Sequence, residues 1–122
     1  MEISRKRTGS GQGSGDDLPA LDGDFLARCT FGDEALKGEI IALFRKQLAQ
    51  ARDQIASAST ASDWRFVMHT LKGAALAVGA VQFAALAQEW EKAVFPSEGQ
   101  RQLILNDFDL AKAAFLMAAK LA

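Results

Sequence analysis

Apolar residues recur at steps of three and four over most of the chain, and this spacing is the feature that most limits its fold. Between positions 36 and 55 they form one stripe, which consists of Leu36, Ile40, Leu43, Phe44, Leu48, Ala51 and Ile55. On a helix with 3.6 residues per turn such a stripe covers one face, and most of the charged residues fall outside it. Period-two alternation, the mark of a half-buried strand, is hard to find. The chain is therefore predicted to be all-helical.

Capping and breaking residues divide the chain into five predicted helices. The first is short, from Asp22 to Cys29, and Gly32 breaks the chain after it. Asp33 is the expected N-cap of the second helix, because its short side chain can accept hydrogen bonds from the first free backbone N–H groups. This second helix should run from about Glu34 to Ala58.

The remaining three helices are delimited in the same way. Ser62 and Asp63 are good caps for a third helix, which should reach the residue before Gly79, where glycine favours a left-handed end. The fourth helix is expected over residues 80–94, since the residue that follows precedes a proline and is disfavoured in helical geometry. Ser97 is then the predicted cap of the last helix, which runs toward the C-terminus.

Four long amphipathic helices joined by short turns favour an up-down-up-down antiparallel four-helix bundle, with the short N-terminal helix packed on one end. The segment Thr8–Gly15 contains almost only Gly, Ser and Gln, which cannot bury enough surface to fold. We therefore expect residues 1–15 to form a flexible tail or linker. Residues 16–122 should form one helical domain with its own core.

Composition argues against several classes of function. No apolar run approaches the roughly 18 residues of a membrane span, and the N-terminus lacks the apolar stretch of a secretory signal. The single cysteine, Cys29, has no partner for an internal disulfide, so the protein is expected in the cytoplasm. A net charge of −1 provides no overall attraction to nucleic acid. One histidine without a second His or a Cys pair nearby cannot close a metal or haem site.

The only histidine, His69, is predicted to stand on the solvent side of the third helix. On the helical wheel, at about 100° per residue, it lies roughly 160° from Val67. The face predicted to be buried consists of Trp64, Val67, Leu71, Ala74 and Val78. A lone histidine on a solvated face is usually an ordinary surface residue. Its neighbours must therefore decide whether it has a function.

The neighbours of His69 on the helix surface are unusual. Arg65 lies one turn before it, Lys72 and Gly73 one turn after it, and Leu76 beyond them. Gly73 costs about 1 kcal/mol relative to alanine inside a helix, although the chain otherwise uses alanine freely. A bare backbone at this point would let a phosphoryl group and a partner's loop reach the imidazole. Lys72 would place an ammonium group near the phosphoryl oxygens.

The stretch HTLKGAALAVGA, residues 69–80, resembles the signature of histidine-containing phosphotransfer (HPt) domains. In that signature a histidine is followed at three and four residues by lysine and glycine, with a further glycine near the helix end. Here these positions are His69, Lys72, Gly73 and Gly79. The resemblance extends more loosely over Leu21 to about Ala118 and includes the segment FGDEALKGEIIALF. One departure is that many such domains carry a glutamine near the histidine on the next helix, where this chain has Glu91.

The predicted hairpin of helices three and four brings Glu91 to the level of His69. Its carboxylate would accept a hydrogen bond from Nδ1 of His69, which would leave the Nε2 lone pair free to attack phosphorus. Gln88, one turn away, is the alternative partner. An ordinary solvated glutamate is an equally open interpretation of Glu91.

The resemblance implies a phosphocarrier rather than an enzyme. His69 would accept a phosphoryl group from a receiver-domain aspartate of a hybrid histidine kinase or response regulator and pass it to another receiver. Receivers would dock on an apolar patch beside the histidine that includes Leu76 and Leu26. We expect no cofactor on this chain, with Mg²⁺ held by the receiver, no membrane insertion, and a monomeric state.

Two alternatives remain open from the sequence. One is a helical scaffold or adaptor whose His69 is never phosphorylated. The other is an HPt domain excised from a larger sensor kinase at the Gly/Ser-rich segment.

Overall fold

A computed structural model describes residues 18–93 and 95–121 and contains five helices and no strand within those ranges. The helices are α1 (Gly23–Thr30), α2 (Glu34–Ser57), α3 (Ala61–Val78), α4 (Val81–Glu91) and α5 (Glu98–Leu121). The all-helical prediction is confirmed. The predicted tail, residues 1–15, lies outside the described residues. None of the helices in the described ranges is long and apolar enough to span a membrane.

Three helix starts lie where the sequence placed them, because a local side chain satisfies the free N–H groups of the first turn. The Asp22 carboxylate accepts from the backbone N–H of Phe25 at 3.0 Å. The Asp33 carboxylate accepts from two backbone N–H groups in the first turn of α2. Before α5, the Ser97 hydroxyl accepts from the Gln100 N–H at 3.2 Å, and the Gln100 side chain accepts from the Ser97 N–H at 2.9 Å. This reciprocal pair is a capping box.

Two boundaries differ from the prediction by more than one residue. The cap of α3 is Thr60 rather than Ser62 or Asp63, because the Thr60 hydroxyl accepts from the Asp63 N–H at 3.0 Å. Helix α4 ends at Glu91, three residues earlier than expected. The Trp90 carbonyl accepts the backbone N–H of Ala93 at 3.1 Å, an i to i+3 bond that tightens the last turn, and also the indole N–H of Trp64 at 3.0 Å. The end of α4 therefore combines a tightened local turn with a contact from another helix.

Aromatic rings from three helices form the centre of the core. Phe44 of α2 packs edge-on against Phe115 of α5 and Phe83 of α4, with ring centroids 4.9 and 6.1 Å apart. Phe83 in turn contacts Phe108 of α5 at 5.2 Å. All four rings are buried, and each such burial contributes about 1.5–3 kcal/mol. Helix α3 packs against α2 and α4, and α5 packs against the same two helices.

Two arginines connect α2 with α5. Arg52 makes a two-pronged ion pair with Asp109, with N–O distances of 2.7 and 2.8 Å, which holds the pKa of that carboxyl below its usual value. Arg101 is buried and donates from Nη1 to the Ile55 carbonyl at 2.6 Å. Helix α2 has no basic residue in its own last turn. Arg101 therefore supplies the cation that the C-terminal end of a helix favours.

Gly79 combines a left-handed backbone with close packing. Its φ is +82°, and it ends α3 as predicted. The Gly79 carbonyl accepts from the Asp22 N–H at 2.8 Å, which ties the start of α1 to the α3–α4 turn. A Cβ at this position would lie 3.0 Å from the Phe25 ring and 3.1 Å from the Asp22 carbonyl oxygen. Both the backbone conformation and the packing therefore require glycine.

Replacing Gly79 with alanine should lower the free energy of unfolding by about 1–3 kcal/mol. A left-handed conformation costs an L-residue about 1–2 kcal/mol, and the new methyl group would also press on α1. Urea unfolding followed by circular dichroism measures the change. Gly99→Ala is the matched control, because a Cβ there meets nothing within 4 Å. Equal effects of the two substitutions would contradict this assignment of Gly79.

Candidate functional site

His69 lies in the middle of α3 with its side chain in solvent. The buried residues of the helix, Trp64, Val67, Met68, Leu71, Ala75 and Val78, fix its rotation. They occupy the side opposite His69, which is exposed. Within the described residues the side chain of His69 makes no hydrogen bond or ion pair. Its imidazole is therefore accessible to a molecule that approaches from outside.

The residues that surround His69 form one surface, here called the outward strip: Arg65, His69, Lys72, Gly73 and Leu76. Arg65 and Gly73 are exposed, and Leu76 is 51% exposed. Lys72 is half-buried, which differs from the fully solvated position that its spacing suggests. It lies on the same side of α3 as the buried Met68 and Ala75. Its aliphatic stem can cover that edge of the core while its ammonium group stays in water.

Gly73 has open space in front of its backbone. A Cβ built on it meets no atom within 4 Å, so no packing contact within the described chain requires glycine. Because glycine inside a helix costs about 1 kcal/mol relative to alanine, its presence has no explanation in the fold. The open backbone one turn from His69 is therefore a feature of the surface and not of the core.

The predicted hydrogen bond between Glu91 and His69 is absent, and Gln88 does not replace it. Glu91 is half-buried and Gln88 is exposed, but neither bonds to His69 within the described residues. Glu91 is the last residue of α4, which ends earlier than predicted.

Leu26 does not belong to the exposed patch in which the sequence analysis placed it. Its side chain is 1% exposed and lies in the core. Helix α1 has only eight residues, and it turns Leu26 and Thr30 inward. Phe31, which directly follows α1, is 89% exposed and ends the helix in a left-handed conformation.

Phe66 is a surface residue of the site that the sequence analysis missed. It is 66% exposed and stands one turn before His69 on α3. It borders a groove between α2 and α3 that is also lined by Gln54, Ser57, Ala58, Asp63 and Val67. The helical wheel could have found it, because Phe66 falls about 60° from His69 and outside the predicted buried sector.

Residues 38–119, about two-thirds of the chain, match the family model described as Hpt domain. The matched region contains all of α3 and α4 and therefore the whole outward strip. None of the curated proteins and none of the solved structures compared with the chain gives a significant match. In the described part of the chain, no group of three or more His, Cys, Asp or Glu side chains is arranged to hold a metal ion.

Gly73→Ala should raise the free energy of unfolding by about 0.5–1 kcal/mol, because the added methyl group restores helix propensity without a clash. Chemical denaturation measures the change. Gly38→Ala on α2 is the control, since its Cβ also meets nothing within 4 Å, and it should give a similar gain. A loss of stability at Gly73 alone would mean that a contact within the chain accounts for this glycine.

Proposed function

The chain belongs to the Hpt domain family, and on this premise we propose that it is a phosphocarrier that holds a phosphoryl group on His69. Hpt domains in general carry phosphate between receiver domains in two-component signalling. The observation that carries the proposal is the exposure of the only histidine, on a helix inside the matched region. A carrier must present its nucleophile to partner proteins, and a solvent-facing imidazole meets that requirement.

The proposed architecture is an up-down-up-down bundle of α2 to α5, with α1 packed on one end. The contacts of α3 and α5 with both α2 and α4 support this arrangement, as does the bond between the start of α1 and the α3–α4 turn. In such a bundle each long helix keeps one face in water. The outward strip would occupy that face of α3.

The proposed reaction is an in-line displacement at phosphorus. The Nε2 lone pair of neutral His69 attacks the acyl phosphate of a receiver aspartate. The N–P bond forms as the P–O bond to the aspartate breaks, and the aspartate leaves as a carboxylate. The proton on Nδ1 stays on the ring, which becomes a phosphorylated imidazolium. The reverse displacement would pass the phosphoryl group to the aspartate of a second receiver.

The two cations of the outward strip would offset the charge of the phosphoryl group. Lys72 follows His69 by three residues and Arg65 precedes it by four, so both side chains neighbour the imidazole on the helix surface. The half-buried stem of Lys72 limits the positions that its ammonium group can reach. Lys72 is therefore the better candidate to meet the phosphoryl oxygens as they move between proteins.

Docking of the receiver would use the open backbone at Gly73 and the exposed Leu76. The missing Cβ lets a partner loop come close to the imidazole, and Leu76 offers apolar surface beside it. Gln88 and Glu91 would contact the receiver from α4. We propose that Mg²⁺ belongs to the receiver, that the chain binds no cofactor of its own, and that transfer takes place in the cytoplasm.

Mixing the chain with a receiver phosphorylated on aspartate with ³²P should produce an acid-labile, alkali-stable label on the chain. The label should be absent from His69→Gln, because the amide has no nucleophilic lone pair. His69 is exposed, so the substitution should change the stability by no more than about 0.5 kcal/mol. A wild-type chain that accepts label from none of the receivers of its source organism would favour the scaffold alternative.

Lys72→Ala should slow transfer from the phosphorylated receiver by about 10- to 100-fold, because one source of charge stabilisation is removed. Single-turnover rates measure the effect, and circular dichroism checks the fold. Lys112→Ala is the matched control, since Lys112 is also half-buried but lies on α5, and it should transfer at the wild-type rate. Equal rates for Lys72→Ala and the wild type would contradict the assigned role.

A further inference from the structure

The two flanks of His69 on α3 differ in charge. On the α3 wheel, at about 100° per residue, Arg65 and Lys72 lie within roughly 60° of His69 on one side. Phe66 and Gly73 lie within roughly 60° of it on the other side. Phe66 borders the groove between α2 and α3, so this second flank is the one that faces α2. The cations of the outward strip therefore lie on the flank that faces away from α2.

Helix α2 extends the flank of His69 that carries no cation. Four uncharged residues share a sector of roughly 60° on the α2 wheel: Leu43, Gln47, Gln50 and Gln54. No Asp, Glu, Lys or Arg between positions 43 and 54 falls in that sector. Gln54 lines the groove beside Phe66, and Asp63 is the one charged residue among the described residues that line it. The surface between the two helices therefore consists mainly of apolar and amide groups.

Exposed apolar side chains lie at both ends of this surface. Helices α2 and α3 pack against each other and are joined by only three residues, so they run antiparallel. Leu43 lies 16 residues before Ser59 and Leu76 lies 17 residues after it, which puts the two leucines at nearly the same level. Phe66 lies ten residues from Leu76, about 15 Å along α3, and His69 lies between them. We call Leu43, Phe66, Leu76 and the three glutamines of α2 the α2–α3 surface.

We propose that the receiver docks on the α2–α3 surface, with Phe66 as its main apolar anchor. This inference rests on the proposed function, because phosphorus must come within bonding distance of Nε2 and the footprint of the receiver is therefore centred near His69. A standard interface covers about 800 Å² on each partner, a disc of about 16 Å radius. Phe66 precedes His69 by one turn, so it lies inside this footprint in every orientation of the receiver.

The charges around His69 determine which receivers fit this surface. The phosphoryl group is anionic, and Arg65 and Lys72 complement it on one flank. On the other flank, an acidic side chain of the receiver would lose its hydration without finding a cation in the α2–α3 surface, and it would meet the Asp63 carboxylate. An apolar side chain would lose no such hydration and would gain from contact with the Phe66 ring. Phe66 and Asp63 therefore select receivers that present an apolar rather than an acidic side chain beside their phosphorylated aspartate.

The groove beside Phe66 has room for one side chain of the receiver. Its volume is about 210 Å³, below the roughly 300–1,000 Å³ of sites that enclose a drug-sized molecule. Ala58 and Val67 line the groove and are themselves buried, so an apolar side chain that enters would exchange contacts with water for contacts with carbon. Aromatic residues beside such pockets often contribute most to binding. We therefore expect Phe66 to contribute more to docking than Leu43 or Leu76.

Phe66→Ala should weaken docking and leave the chemical step intact, because the ring does not meet phosphorus. The receiver concentration that gives half the maximal single-turnover rate should rise by about tenfold or more, with the maximal rate unchanged. Phe66→Leu keeps an apolar side chain and should raise it less than about threefold. Leu110→Ala is the control, because Leu110 is 71% exposed but lies on α5, and it should match the wild type. Equal half-saturation for Phe66→Ala and the wild type, or a lower maximal rate alone, would overturn the inference.

Phosphoramidate separates this inference from the proposed function. This small donor passes its phosphoryl group to an imidazole with loss of ammonia, and it needs no docking surface. If phosphoramidate and the receiver both label His69, and Phe66→Ala does not shift the half-saturation, the docking inference is wrong and the proposed function stands. A wild-type chain that neither donor labels would overturn both.

A bulky adduct tests which flank the receiver covers. Gln50 is exposed and nearly level with His69, on a helix whose axis lies about 8–10 Å away. In a Cys29→Ser background, Gln50→Cys modified with fluorescein maleimide should slow transfer from the receiver by about tenfold or more. The same adduct on Ala113→Cys of α5, also an exposed position, should leave the rate unchanged. Equal rates for the two adducts would overturn docking on the α2–α3 surface.

Discussion

The conformation of Gly79 is the constraint on which the arrangement of the site depends. With φ at +82°, the chain reverses within two residues between α3 and α4, so the two helices must pack side by side. The same residue accepts the hydrogen bond that ties α1 to the turn. Once α3 is held between α2 and α4, its apolar residues can be buried in only one rotation. That rotation directs His69 into solvent.

Much of the fold could be predicted because local chemistry determines it. Asp33 and Ser97 start their helices, and Gly79 ends one, through groups that lie within a few residues along the chain. The contact at the end of α4 could not be predicted, because the Trp64 indole reaches the Trp90 carbonyl from 26 positions away. The buried Arg101 likewise depends on a carbonyl of α2. Sequence patterns record local propensity and do not specify such contacts between helices.

The difference between local patterns and contacts between helices also explains which parts of the candidate site could be predicted. The direction of His69 follows from helical periodicity over 18 residues and could be predicted. Leu26 stands on a helix of eight residues, too short for its periodicity to define the buried side, and tertiary packing turns it inward. The wheel position of Phe66 could be predicted, but the groove that it borders could not. The exposure of Phe66 beside His69 reflects the shape of the groove between α2 and α3, which exists only after both helices have packed.

The outward strip and the core have opposite effects on the stability of α3. The glycine at position 73 lowers the helix propensity of α3 by about 1 kcal/mol relative to alanine. The buried face of α3, with Trp64, Met68 and Leu71, offsets this loss several times over, since each buried side chain contributes about 1.5–3 kcal/mol. The stability that the buried face provides therefore leaves the exposed face of α3 free to favour access to His69. The proposed carrier role would need that freedom, because each partner contact at His69 would also have to be released.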